Sequence, residues 1–308
     1  MVLRASGGEE ILDAVSDAEA GVIYYQNYQI NIDTNLINAN GNVNELDALN
    51  SSGNETNAVF SQDEKEIYFV SNRTGYAELW NYDIHTKRVK QITDLKALSI
   101  IGPIISHDQT RFVLEYRTDN LYIGIFDKDT GKLIVNSQIP SHRFPLSWSR
   151  DNNYIYVSEH EAQVNLFRYN VSNLEFSVVA KNAGLFARES MDGKKLVYVD
   201  YDSGGLIEYE LVNKSSASLG SLIENLAALS PGQFRLSKDW TAMYVLRNDH
   251  NTPHLLSKSL MPTGTRSDIR TIELPELAWV TDINNTGTQI LFLQHKPPSG
   301  DIMKIELR

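Results

Sequence analysis

Four charged side chains stand where this sequence otherwise puts apolar ones: Arg188, Glu189, Arg235 and Asp282. Each lies one or two residues ahead of a Ser or Asn that opens a turn, at the end of a short apolar stretch. Two guanidinium groups at matching positions suit a carboxylate or a phosphate, because the planar fork of arginine grips such groups at two points. The same four charges equally suit ion pairs between neighbouring elements, since buried charges need partners. Glu55, His142, Arg143 and Trp279 begin comparable stretches. With Arg188 and Arg235 they form the candidate lining of a ligand site.

Other chemistry is sparse. The histidines are His85, His107, His142, His160, His250, His254 and His295, and none falls in His-x-x-x-His on a helix or in His-Glu-x-x-His. His250 and His254 are separated by Asn251, Thr252 and Pro253, which make a loop, so helical spacing has no meaning there. There is no Gly-x-Ser-x-Gly nucleophile elbow and no Gly-rich phosphate loop; Gly204-Gly205 is a hairpin turn. Without cysteine, disulfides, thiolate catalysis and Cys-ligated metal are excluded. The sequence therefore implies no catalytic residue, no metal and no cofactor, and points to binding rather than to an enzyme. The runner-up is a carbohydrate-active enzyme that gathers carboxylates or histidines from distant parts of the chain.

These residues are positioned by a repeat. Ala58 to Phe60, Ile67 to Ser71, Ala77 to Asp83 and Val89 to Thr93 read as four short strands joined by tight turns. Aligning on Ser61 gives the anchors Ser16, Ser61, Ser106, Ser149, Ser190, Ser237 and Asn284, about 41–47 residues apart. Asp63, Asp108, Asp151, Asp192 and Asp239 follow five of them by two positions, while Ala18 and Thr286 follow the two end anchors. Ser and Asp in this spacing bond nearby backbone amides and hold a tight turn, so these aspartates read as turn formers. An apolar run follows each anchor, for example Phe112-Val113-Leu114 and Ile155-Tyr156-Val157. A continuous run of this kind marks a strand covered on both faces.

The segment 58–93 resembles the TolB-like propeller repeat, keeping Ser61, Asp63, Ser71-Asn72-Arg73, Gly75 and Leu79-Trp80. It departs at the turn, where Gln62 and Glu64 replace the family's Pro and Gly. The resemblance implies an all-β fold, a β-propeller of four-stranded blades, over residues 1–308 as one domain. Seven blades are expected, with Val2–Ser6 pairing beside Asp301–Leu307 to close the ring; the alternative is six, with residues 1–50 outside. In function the resemblance implies a periplasmic protein-docking ring. It also implies the extracytoplasmic sensor of a bacterial membrane-anchored winged-helix transcription regulator of the CadC and ToxR type. A protein partner or small ligand is expected at a mouth of the central channel.

Bulk properties agree with that expectation. A net charge of −11 is the wrong sign for a nucleic-acid surface, which needs clustered Lys and Arg. No apolar run reaches the roughly 20 residues that span a bilayer, so membrane attachment is expected only through segments outside this chain. Met1 to Gly8 lacks the apolar core of a signal peptide and reads as an added Met ahead of a domain boundary. Absence of cysteine suits the periplasm, with the cytoplasm as alternative. The Asn-rich stretch 35–57 reads as turns and loops, and sequons such as Asn72-Arg73-Thr74 are assigned no glycan.

Overall fold

The computed structural model describes residues 9–17, 20–29, 31–38, 40–139, 143–160, 164–173, 175–219, 234–237, 241–247, 254–260, 266–275, 278–296 and 299–306. They are strands and turns throughout. The first four strands are β1 (Glu9–Asp17), β2 (Val22–Gln29), β3 (Ile32–Ile37) and β4 (Val43–Glu45). The first complete blade is β5 (Glu55–Phe60), β6 (Glu66–Ser71), β7 (Glu78–Asp83) and β8 (Arg88–Gln91). The second is β9 (Ser99–Ile105), β10 (Arg111–Arg117), β11 (Leu121–Asp127) and β12 (Leu133–Gln138). The third is β13 (Arg143–Trp148), β14 (Tyr154–His160), β15 (Val164–Asn170) and β16 (Phe176–Lys181). The fourth is β17 (Ala183–Glu189), β18 (Lys195–Asp200), β19 (Leu206–Glu210) and β20 (Ser215–Ser218). The fifth is β21 (Phe234–Leu236), β22 (Ala242–Arg247), β23 (His254–Leu260) and β24 (Arg266–Ile272). Last come β25 (Ala278–Ile283), β26 (Ile290–His295) and β27 (Ser299–Glu306).

The sixth blade draws on both ends of the chain. Its order is β25-β26-β3-β4, with Ile290 opposite Ile37 and His295 opposite Ile32. The described residues thus form six four-stranded sheets and one three-stranded sheet, β1-β2-β27. This departs from the seven-blade arrangement preferred on sequence. Residues 22–45 hold three strands, but β3 and β4 complete the last blade while β2 pairs with β27 from Val22–Glu306 to Gln29–Ser299. Val2–Ser6 lies outside the described residues. The three-stranded sheet continues the β3–β26 ribbon away from the ring and leaves Val15, Tyr24 and Ile302 exposed.

Six apolar clusters hold the blades, one at each junction. Tyr68, Val70 and Leu79 of the first blade meet Ile100, Phe112 and Leu114 of the second. The sixth meets the first through Leu36 and Leu291 against Ala58, Phe60 and Ile67. The second strand of each blade is buried on both faces because it packs against two neighbours, and this is why it reads as an unbroken apolar run. Trp148, Phe69, Phe112 and Phe292 are among the largest fully buried side chains.

The anchor turns follow the sequence closely. The hydroxyls of Ser61, Ser106, Ser149 and Ser190 donate to Asp63, Asp108, Asp151 and Asp192 at 2.6–2.7 Å. Those hydroxyls, with Ser237 Oγ and Asn284 Oδ1, each accept the backbone N–H five residues on, at 2.8–3.0 Å. Asn284 therefore replaces Ser without loss of the turn. Ser16 does not belong to the series: it is exposed inside β1, opposite Ile23. Third after the anchor, the backbone is left-handed at Glu64, Gln109, Asn152, Gly193 and Gly287, with φ between 58° and 70°. The family's glycine belongs at that position, because a Cβ there costs energy.

Glu64 compensates by bonding the backbone N–H of Asn285 at 2.7 Å, tying the first blade to the sixth. Comparable links join other neighbours. Gln62 Nε2 donates to the Ser106 carbonyl at 3.0 Å, and the His107 N–H donates to Asn152 Oδ1 at 2.8 Å. These links place the anchor turns together at one end of the ring.

Candidate functional site: the central channel

The inner strands β5, β9, β13, β17, β21 and β25 enclose a channel of about 640 Å³. Five of the six carry a register shift against their neighbour, at Thr56/Val59, Ile101/Ile104, Pro145/Ser147, Ala183/Ala187 and Val280/Asp282. A bulge re-aims the residues beyond it. Here Val59, Ile104, Arg188, Arg235 and Asp282, two residues before their anchors, all line the channel. The wall away from the anchor turns is apolar: Ile101, Pro103, Phe144, Pro145 and Phe186. Trp279 stands there with 56% of its surface exposed, its ring edge-on to His295 at 4.9 Å.

The floor is charged. Asp282 is 6% exposed, is ion-paired to Arg235 Nη1, and accepts the Phe60 N–H at 3.0 Å. One carboxylate so joins the fifth, sixth and first blades. Arg188 has no hydrogen-bond or ion-pair acceptor among the described residues. Burial, and then the charge of Arg235, pull its pKa down to about 10 against the favourable field of Asp282, so it is cationic at neutral pH. Behind it, burial and then the charges of Arg188 and Arg150 hold His107 at about 4, so this imidazole is neutral at pH 7. Glu189 turns away from the channel: it accepts the Arg150 N–H at 2.7 Å and the Tyr156 hydroxyl.

The other candidates separate. Glu55 is fully buried and accepts from Ser51 Oγ at 2.7 Å, Ser71 Oγ at 2.8 Å and Arg73 at 3.1 Å. The Arg73 guanidinium lies 4.8 Å from the Trp80 ring centroid. The Ser71-Asn72-Arg73 motif is thus the clamp of the first blade, and Asn72 adds a bond from the Asn54 N–H at 2.7 Å. Arg143 stays inside the third blade, on Glu159 at 2.5 Å and the Tyr169 hydroxyl at 2.6 Å, with the Phe176 ring 4.8 Å away. His142 lies outside the described residues. Arg188, Arg235 and Trp279 are brought together on the channel.

Sequence reasoning did not single out Glu115. It is 4% exposed in β10, its Oε2 lacks a hydrogen-bond partner, and burial raises its pKa to about 7. A lone acid inside an apolar strand is the signal that would have found it. A second recess, of about 330 Å³, is polar; in it Lys296 meets Asp33 at 3.1 Å beside Asn31, Asn35 and Asp47. Among the described residues no group of three or more His, Asp or Glu could hold a metal ion, and no helix is long and apolar enough to cross a membrane.

The fold and site define a β-propeller with an apolar channel and a charged floor. No protein-family model and no curated protein matches the chain. Solved structures do. A TolB structure from Agrobacterium tumefaciens matches at TM-score 0.61 and 11% identity, over 87% of this chain and 99% of that one. TolB from Acinetobacter baumannii matches at 0.54 and 16%, over 87% of this chain and 66% of that one. The chain is TolB-like in fold, as its repeat implied.

The expectation of a protein without enzymatic activity is corrected by other matches. A puromycin-hydrolysing peptidase of Mycobacterium tuberculosis matches at TM-score 0.56 and 12% identity, over 88% of this chain and 46% of that one. An oligogalacturonate lyase solved with manganese matches at 0.51 and 13%, over 92% of this chain and 78% of that one. The same ring occurs in enzymes, so the fold and missing linear motifs do not exclude one.

Proposed function

We propose that this chain is a TolB-like protein-interaction ring that works in the bacterial periplasm and receives its partner in the central channel. In its finer form the ring is the extracytoplasmic sensor of a membrane-anchored winged-helix regulator. The observation that carries the reading is the channel itself: about 640 Å³, apolar along its wall, with a half-exposed tryptophan at one end. Concave apolar sites with a few polar groups are where ligands and chain segments bind. The net charge of −11 argues against nucleic acid as the partner.

The test places a photo-crosslinking side chain at Trp279 in the protein produced in its own host. Val178, exposed on outer strand β16, serves as the control position. A discrete adduct from the channel position alone, in the periplasmic fraction, is expected. Equal adducts from both positions, or fractionation with the cytoplasm, would overturn the reading.

A further inference from the structure

We propose that the channel floor is a receptor for one carboxylate carried on an apolar body, gripped by the guanidinium of Arg188 with Arg235 beside it. This rests on the channel being the binding site and names the chemistry it selects.

Three ionisable side chains line the channel among the described residues: Arg188, Arg235 and Asp282. Asp282 is already engaged by Arg235 and by the Phe60 N–H. The second arginine is left without an acceptor, and the cavity carries one net positive charge inside a protein of net charge −11. A charge held inside the fold without a bonded partner is costly, and among the described residues none accepts a hydrogen bond from Arg188 or pairs with it directly; Asp282 acts on it only through its field. Glu189, the acid nearest in sequence, is spent on the Arg150 N–H and the Tyr156 hydroxyl. The neighbouring His107 is neutral at pH 7 and so adds no further positive charge.

A ligand anion completes the floor. One net charge matches a monoanion. A phosphate dianion would exceed it and would press against Asp282. A guanidinium also takes a carboxylate through two parallel hydrogen bonds, which fixes the direction of the group. The rest of the ligand must then lie along Ile101, Pro103, Phe144, Pro145 and Phe186 toward Trp279. That wall offers area rather than hydrogen bonds and favours an apolar body. The cavity is of the size that takes a small ligand or the end of a chain segment. Two sources share this chemistry: a fatty acid, and a peptide ending in apolar residues with a free α-carboxylate.

Titration calorimetry of the full chain with four probes tests the proposal. They are sodium octanoate, octanamide, N-acetyl-leucyl-phenylalanine and its C-terminal amide. At least one acid is expected to bind about tenfold or more tighter than its amide, since bonds to charged groups are the strong ones. Arg188→Met should abolish that preference and Arg188→Lys should retain part of it. Octanoate alone binding assigns a fatty acid; the peptide acid alone assigns a chain terminus; both support the site. Acids and amides binding alike, no binding at millimolar probe, or a preference that survives Arg188→Met would overturn it. The unfolding midpoint of each variant shows that the ring is intact. If a partner adduct at Trp279 persists while these tests fail, the docking reading stands and the carboxylate site falls.

Discussion

Removing Arg235 should strand Asp282. The aspartate is 6% exposed and loses its only ion-pair partner among the described residues in Arg235→Ala, keeping the N–H groups of Phe60 and Ile283, each at 3.0 Å. Breaking a buried pair from one side costs about 3–5 kcal/mol. The two backbone donors and the field of Arg188 remain, which sets the expectation at the lower end, about 3 kcal/mol. Unfolding entropy near 2.1 cal/mol/K per residue gives about 0.65 kcal/mol/K for 308 residues, so the midpoint should fall by about 5 °C. Arg188→Met provides the contrast. That arginine has no acceptor among the described residues and is repelled by Arg235, so its removal should leave the midpoint unchanged or slightly raised. Adding Asp282→Asn to Arg235→Ala should recover most of the loss, because it removes the stranded charge. Scanning calorimetry of the four proteins measures all of this. A double variant no better than Arg235→Ala, or an equal fall in Arg188→Met, would refute the assignment of paired and unpaired arginines.

Three other outcomes follow from single positions. Gln109 holds φ at 58° and its side chain makes no hydrogen bond among the described residues, so Gln109→Gly should stabilise the chain by roughly 1 kcal/mol in denaturant unfolding. At Gly131 a Cβ would lie 1.8 Å from the Ile92 carbonyl oxygen and φ is 67°, so Gly131→Ala should lower the midpoint by several degrees. Glu115 has its folded pKa raised from 4.5 to about 7, so the stability it supports is full below about pH 4.5 and is lost as pH rises through 7. Glu115→Gln should therefore stabilise by up to about 2 kcal/mol at pH 8 and by little at pH 5, and an equal effect at both would count against an unpartnered carboxyl.

How much of this was legible in advance depended on distance along the chain. The anchor turns were legible because their hydrogen bonds close within five residues, so Ser61, Asp63 and Glu66 carry the whole device. The same locality misled at Ser16, whose surroundings look like an anchor but which is exposed inside β1, opposite Ile23. The pairing of β1 with β2 and of β2 with β27 decides that position, and no local pattern encodes it. The channel candidates divide the same way. Arg188 and Arg235 hold equivalent places in successive repeats, and their sequence context does not say which one is paired. Asp282 settles that by reaching Arg235 in the blade before and the Phe60 N–H in the blade after.

The sequence by itself determined the all-β class, the repeat and its turns, because alternation, apolar runs and Ser-x-Asp act over a few residues. Tertiary structure alone decided the ring. Ile32–Ile37 would serve as well in a first blade as in a last one, and it is claimed by Ile290–His295 near the other end of the chain. A β-strand specifies which of its faces is apolar but not which distant edge it will pair with. The number of blades, the closing sheet and the unneutralised guanidinium at the channel floor are fixed when those edges meet.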